Sequence, residues 1–243
     1  MKRWMTRLAT VGAATAVVGL WLPIASANAA VGGALGGVRF GPDNMNSSGQ
    51  AGYYDLTAPA TSSVSAKFTV PTISGCTSAE SGVGFGSLIF SNTGEATGAL
   101  LLVGCFSSAP VYEAVTLVNG SQTIATFTPA PGDVIKVKSK ETASSASTKL
   151  DDVTQGQTVT GSASSGATND AILAGVDSFD GSSGQLPVPT FTTVQFTGGK
   201  IDGVTVGTSR AKAYNMNATN FQVQIKTSAL TGGNAWTEKF IHS

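Results

Sequence analysis

The chain has 243 residues, balances 14 basic against 14 acidic side chains, and carries one histidine and two cysteines. With 12% charged residues and no surplus of positive charge, it lacks the electrostatic footprint of a protein that holds nucleic acid or an anionic membrane. The single histidine, His242, stands next to the last residue, which argues against Ser-His-Asp or Cys-His catalysis and against a histidine zinc site.

The chain opens as an export signal. Lys2, Arg3 and Arg7 precede an apolar run over 8–22, and Ala27-Asn28-Ala29 forms a small-x-small cleavage site. The run is short for a membrane span of about 20 residues, and Pro23 ends it. Residues 1–29 are therefore expected to be removed, leaving a secreted chain with 11 basic and 14 acidic residues, a net charge of −3. No later stretch is apolar enough to insert in a bilayer. Residues 30–48 are Gly-rich and expected to form a flexible arm. Residues 49–243 are expected to fold as one domain.

This part is rich in Thr, Ser, Gly and Val, while the helix formers Leu, Met, Glu, Lys and Arg are few, which favours strands and turns. Residues 64–70 alternate apolar and polar with period two and stop at Pro71. Residues 83–90 and 99–103 are short apolar runs between glycines. Residues 111–118 lead to Asn119-Gly120, a hairpin dipeptide, with 123–128 as the return strand. Pro131-Gly132-Asp133 turns into 134–138, where Ile135 and Val137 face a core and the lysines face water. A hairpin around Gln155-Gly156 follows over 149–159, then strands at 171–176, 191–197, 221–226 and 236–241. A dozen or so strands without an amphipathic helix predict an all-β fold, a two-sheet antiparallel sandwich.

Cys76 and Cys105 form an isolated pair, which in an exported chain most simply makes one disulfide. Closing a loop of about 30 residues stabilises a fold by roughly 3–4 kcal/mol in the chain-entropy model. No metal site and no cofactor are expected. Asp177-Ser178-Phe179-Asp180-Gly181 lacks the alternating ligands and distal glutamate of a calcium loop, and no phosphate- or dinucleotide-binding glycine motif is present. Paired carboxylates remain as the one catalytic option. Most acids lie in turns, where they cap backbone N–H groups. Glu113 and Asp177 instead end apolar strand segments, where partial burial would raise their pKa values.

Several segments in order resemble the glutamic peptidase (eqolisin) family, a divergent bacterial-type branch of it. Gly49-Gln50-Ala51-Gly52-Tyr53 resembles the opening N-W-A-G-Y, and Val64-Ser65-Ala66-Lys67-Phe68-Thr69-Val70-Pro71 resembles V-S-x-x-F-x-V-P. Tyr112-Glu113-Ala114 resembles the start of Y-D-A-W-Y-E-W-Y-P, and Pro131-Gly132-Asp133 with its strand resembles G-D-x-I. Residues 150–159 are similar to a stretch ending in T-x-G-Q-x-V, and Phe191-Thr192-Thr193-Val194-Gln195-Phe196 to F-x-x-V-x-F. Cys76 and Cys105 fall where bacterial-type members carry a cysteine pair.

The resemblance implies a sandwich of two bent antiparallel sheets. It also implies acid endopeptidase chemistry, with a glutamine and a glutamate facing each other across a concave sheet. This sequence departs from that pattern. In the segment of type A-I-L-Q-T-G, Leu102 takes the place of the glutamine, or Gly98 if the alignment is anchored at Cys105. At the glutamate, anchoring on Phe179 places Asp177 and anchoring on Ala171 places Val176. The opening tryptophan is Gln50, and 115–119 lack the family's aromatics. Leucine neither donates nor accepts a hydrogen bond, so Leu102 can orient neither water nor an oxyanion.

The leading expectation is a secreted, catalytically inactive eqolisin-like sandwich that binds an extended peptide or a glycan in the former cleft, near Tyr53, Tyr54, Tyr112 and Glu113. The ordinary alternative for the tyrosines is edge packing with a wet hydroxyl. An acid endopeptidase using Asp177 with an unidentified partner is the second reading, and a structural surface or envelope protein the third.

Overall fold

The computed structural model describes residues 39–40, 45–47, 49–91, 95–166, 169–178, 180–181, 184–217 and 222–242. The expected signal peptide lies outside the described residues, as does most of the expected arm. Of that arm, Arg39–Phe40 pairs with Met45–Ser47, which in turn runs parallel to the strand at Lys212–Asn217.

The principal strands are β1 (Gln50–Asp55), β2 (Ser62–Thr69), β3 (Ser81–Ser91), β4 (Ala96–Phe106), β5 (Ala109–Val118), β6 (Ser121–Ile124) and β7 (Val134–Glu141). They continue with β8 (Ser145–Asp152), β9 (Gln157–Ser164), β10 (Asn169–Ser178), β11 (Val194–Ile201), β12 (Lys212–Asn217), β13 (Val223–Thr227) and β14 (Trp236–Phe240). A first layer runs β6-β5-β4-β3-β10-β1-β12 and a second β9-β8-β7-β2-β11-β14-β13, all antiparallel. Because β13 also pairs with β12, the two layers form one 17-stranded sheet folded over on itself. The layers pack face to face, β3 on β2 and β7, β4 on β7 and β8, and β5 on β8 and β9. This is the predicted sandwich.

The interior is built by alternation. Val64, Ala66 and Phe68 of β2 meet Phe85, Leu101, Ile135 and Val137, all buried. Phe196 stacks on Trp236 at 4.9 Å and lies 5.0 Å from Phe68. Cys76 and Cys105 are disulfide-bonded, which ties the segment before β3 to the end of β4.

Asn119 (φ 48°) and Gly120 (φ 75°) join β5 to β6 as a two-residue turn with both φ positive, as the dipeptide predicts. The return strand is shorter than expected and starts at Ser121. The single strand expected over 191–197 is two: Thr190–Phe191 pairs with Ile73–Ser74, and β11 begins at Val194. Composition and pattern did not reveal β1 or β12 as strands. Both are buried at successive residues, Ala51 to Asp55 and Tyr214 to Asn217, because each has packing on two faces, and period two disappears there.

Candidate functional site

Directly opposed residues in antiparallel strands project from the same face. Register therefore fixes a row across the outer face of the first sheet. Gln50 opposes Asp177, Asp177 opposes Gly84, Gly84 opposes Leu102, and Leu102 opposes Glu113. The adjacent row reads Tyr214, Gly52, Gly175, Gly86, Leu100, Val115. Leu102 and Asp177 thus share one face with only Gly84 between them, about 10 Å apart at the usual strand spacing.

The sequence left Asp177 and Val176 as alternatives. Val176 is fully buried in the interior between the sheets, whereas Asp177 lies on the outer face and is 8% exposed. Gln50 Nε2 donates a hydrogen bond to Asp177 Oδ1 at 3.0 Å. Gly98, the other candidate for the glutamine position, opposes Leu88 and Leu117 and is remote from this row.

Two glycines set this geometry. Gly52 (φ 123°) and Gly175 (φ 156°) are directly opposed, and a Cβ on Gly52 would stand 2.4 Å from Ala174 O. Only glycine permits that approach, which brings β1 against β10 two residues before Gln50 meets Asp177. Gly52 N–H also donates to Thr227 Oγ1 of β13 at 2.8 Å, holding β1 from its other side.

Around the rows lies a second apolar cluster: Tyr54, Leu88, Leu100, Val115, Leu117, Leu173 and Tyr214, all buried, with Leu102 partly buried against them. Tyr54 meets Phe90 and Tyr214 edge-on at 6.0 and 5.5 Å. At the end of the first row Glu113 is half-buried, and burial raises its pKa. It lies where a protonated carboxyl could donate a hydrogen bond.

Two of the expected binding tyrosines are placed elsewhere. Tyr53 belongs to the interior: it is 6% exposed, packs edge-on against Trp236 at 5.2 Å, and donates its hydroxyl hydrogen to Ser228 O at 3.2 Å. Tyr112 packs against the same interior, and its hydroxyl oxygen accepts the Ile73 N–H at 3.0 Å. Adjacent residues of a strand point to opposite faces, so Glu113 faces outward while Tyr112 faces inward.

Gln50 is the residue that sequence reasoning missed. It stood out only as the replacement of a tryptophan, and its meeting with Asp177, 127 residues away, depends on the β1–β10 register. Among the described residues no three His, Cys, Asp or Glu side chains come together as metal ligands.

Two of the solved structures that share this architecture are peptidases. Scytalido-glutamic peptidase with a transition state analogue inhibitor superposes with a TM-score of 0.61 at 22% identity, covering 80% of this chain and 98% of that chain. SCP-B, an eqolisin-family peptidase in complex with the tripeptide Ala-Ile-His, gives 0.60 at 22% identity and the same coverage. At that identity the likeness is one of fold. No curated protein matches the sequence. The model of the peptidase A4 family matches residues 48–238, most of the chain and all fourteen principal strands except the last two residues of β14, and on that match this chain belongs to the peptidase A4 family.

Proposed function

We propose that this is an exported peptidase A4 family member that binds polypeptide in extended form across the outer face of its first sheet and does not cleave it. The observation that carries this reading is Leu102 between Gly84 and Glu113 in the Gln50–Asp177–Gly84–Leu102–Glu113 row. A side chain without donor or acceptor at that point gives a peptide carbonyl nothing to polarise it. The two ends of the row keep hydrogen-bonding groups. Five strands at about 4.8 Å spacing make the row about 19 Å long, room for about six extended residues at about 3.3 Å each. Gln50 and Asp177 would hold backbone groups at one end and Glu113 at the other, with apolar side chains over Leu102. Export is supported by the signal-like residues 1–29 and by the disulfide, which suits an oxidising compartment. Among the described residues, no helix is long and apolar enough to cross a membrane.

Fluorescence anisotropy of labelled peptides from a denatured protein tests the binding. Saturable binding is expected, and Leu102→Glu, which puts a second charge beside Glu113 within the row, is expected to abolish it. Absence of saturation from about pH 3 to 7, a window that covers the carboxylate pKa values, would overturn the proposal.

The Gln50–Asp177 contact favours a second reading, acid endopeptidase activity. Asp177 would take a proton from water as its oxygen attacks the scissile carbonyl, with a Gln50 N–H steadying the oxyanion. Asp177 would then return the proton to the leaving nitrogen. The contact at 3.0 Å supplies the partner that this reading lacked at the sequence level.

A further inference from the structure

Beyond residue 30 the chain has nine lysines. Eight of them, Lys67, Lys136, Lys138, Lys140, Lys149, Lys200, Lys226 and Lys239, are exposed on strands of the second sheet; Lys212 belongs to the first. Their strand neighbours Ala66, Phe68, Ile135, Val137, Leu150, Ile201, Ile225 and Glu238 turn inward, so the lysines share the outer face. Three pairs are directly opposed: Lys136 with Lys67, Lys138 with Lys149, and Lys226 with Lys239. Like charges so placed are destabilising. A face that served solubility alone would mix signs. Acids are scarce on it. Asp151 is bound to Lys149 at 2.8 Å, and Asp202 at the rim accepts the Ser63 N–H at 2.8 Å.

The remaining outward positions are mostly small hydroxyl residues, Ser63, Ser65 and Thr69 on β2, Ser147 on β8, Thr158 and Thr160 on β9. Register sets Lys149, Lys138, Ser65 and Lys200 in one line across four strands, about 14 Å long at the usual spacing. No aromatic ring stands among these positions to stack on a base, no arginine fork to read one, and no aromatic or leucine side chain to anchor in a bilayer.

We propose that this face docks a linear anionic polysaccharide, whose repeating charges meet the lysine rows and whose hydroxyls meet the serines and threonines. Net charge hid the site, because most acids among the described residues lie in turns, in the interior and on the other sheet. The surface is separate from the Gln50–Glu113 row, and its occupant does not depend on what that row binds.

The test measures binding of the purified protein to polygalacturonate, a carboxylated glycan, at low and physiological salt. Neutral dextran, a short DNA duplex and phosphatidylglycerol vesicles are run in parallel. Binding to polygalacturonate and not to dextran is expected, weakening steeply with salt. Lys136→Gln, Lys138→Gln and Lys140→Gln combined should weaken it at least about tenfold, three charges having been removed from the contact. Lys212→Gln should leave it unchanged. The proposal is overturned if the triple variant binds like the parent, if polygalacturonate is not bound at low salt, or if DNA or vesicles bind more tightly than the glycan.

Discussion

The outer faces of the two sheets differ in almost every physical respect. On the first sheet, strands β3, β4 and β10 carry apolar residues on both sides, and the outward set packs into a second buried cluster around Leu88, Leu100, Val115 and Leu173. On the second sheet, β7 alternates strictly, with Ile135 and Val137 inward and Lys136, Lys138 and Lys140 outward. The first layer is thus apolar on both faces and reaches water on its outer face at Gln50, Leu102 and Glu113, while the second is open to water along the polar side of its strands. Whole-chain charge averages the two and describes neither.

The largest test of this contrast compares neighbours on β4. Leu101 is fully buried between the sheets and Leu102 is partly buried on the outer face. Leu101→Ala should cost about 2–5 kcal/mol in denaturant unfolding, and Leu102→Ala clearly less. Equal losses would mean that the outer cluster is as much a core as the interior.

The seam where the layers meet should respond to pH. Glu238 is wholly buried, and desolvation raises its pKa to about 8, partly offset by its hydrogen bonds. Thr227 Oγ1 accepts the Gly52 N–H and contacts both Tyr214 O and Glu238 Oε2, yet it has only one hydrogen to give. All three contacts are satisfied when Glu238 supplies the proton. The unfolded glutamate ionises near pH 4.3. Between about 4.3 and 8, unfolding therefore releases a proton, and stability falls as pH rises, by a few kcal/mol over the whole window. Glu238→Gln should flatten that slope and be more stable than the parent near pH 8. An unchanged slope in urea titrations would show that Glu238 is ionised in the fold.

The smallest expected effect is on the lysine face. Lys138→Glu would oppose Lys149 with an opposite charge and should gain up to about 1 kcal/mol at low salt. A loss would mean that the lysine pairs are held apart already and cost the fold nothing.

The fold was legible where one face of a strand meets water. β2, β7 and the β8–β9 hairpin follow from alternation and turn residues, and the cysteine pair from the expected compartment. β1 and β12 were not legible, because strands packed on both faces lose the period. Asp177 and Glu113 could be singled out as carboxylates ending apolar strand segments, and Leu102 through the family resemblance. Their alignment in one row is a matter of register, which three separate hairpin and crossover connections determine. Tyr53 shows the reverse case: its neighbour Tyr54 reaches the outer face, and a shift of one residue decides between interior and site.

Incubation with a denatured protein substrate between about pH 2 and 5, where carboxylates titrate, tests the central claim most directly. The account predicts that the substrate is bound and recovered intact, by the parent protein and by Asp177→Asn alike. Cleavage by the parent that disappears in both Asp177→Asn and Gln50→Leu would contradict it and establish the Gln50–Asp177 pair as the catalytic centre.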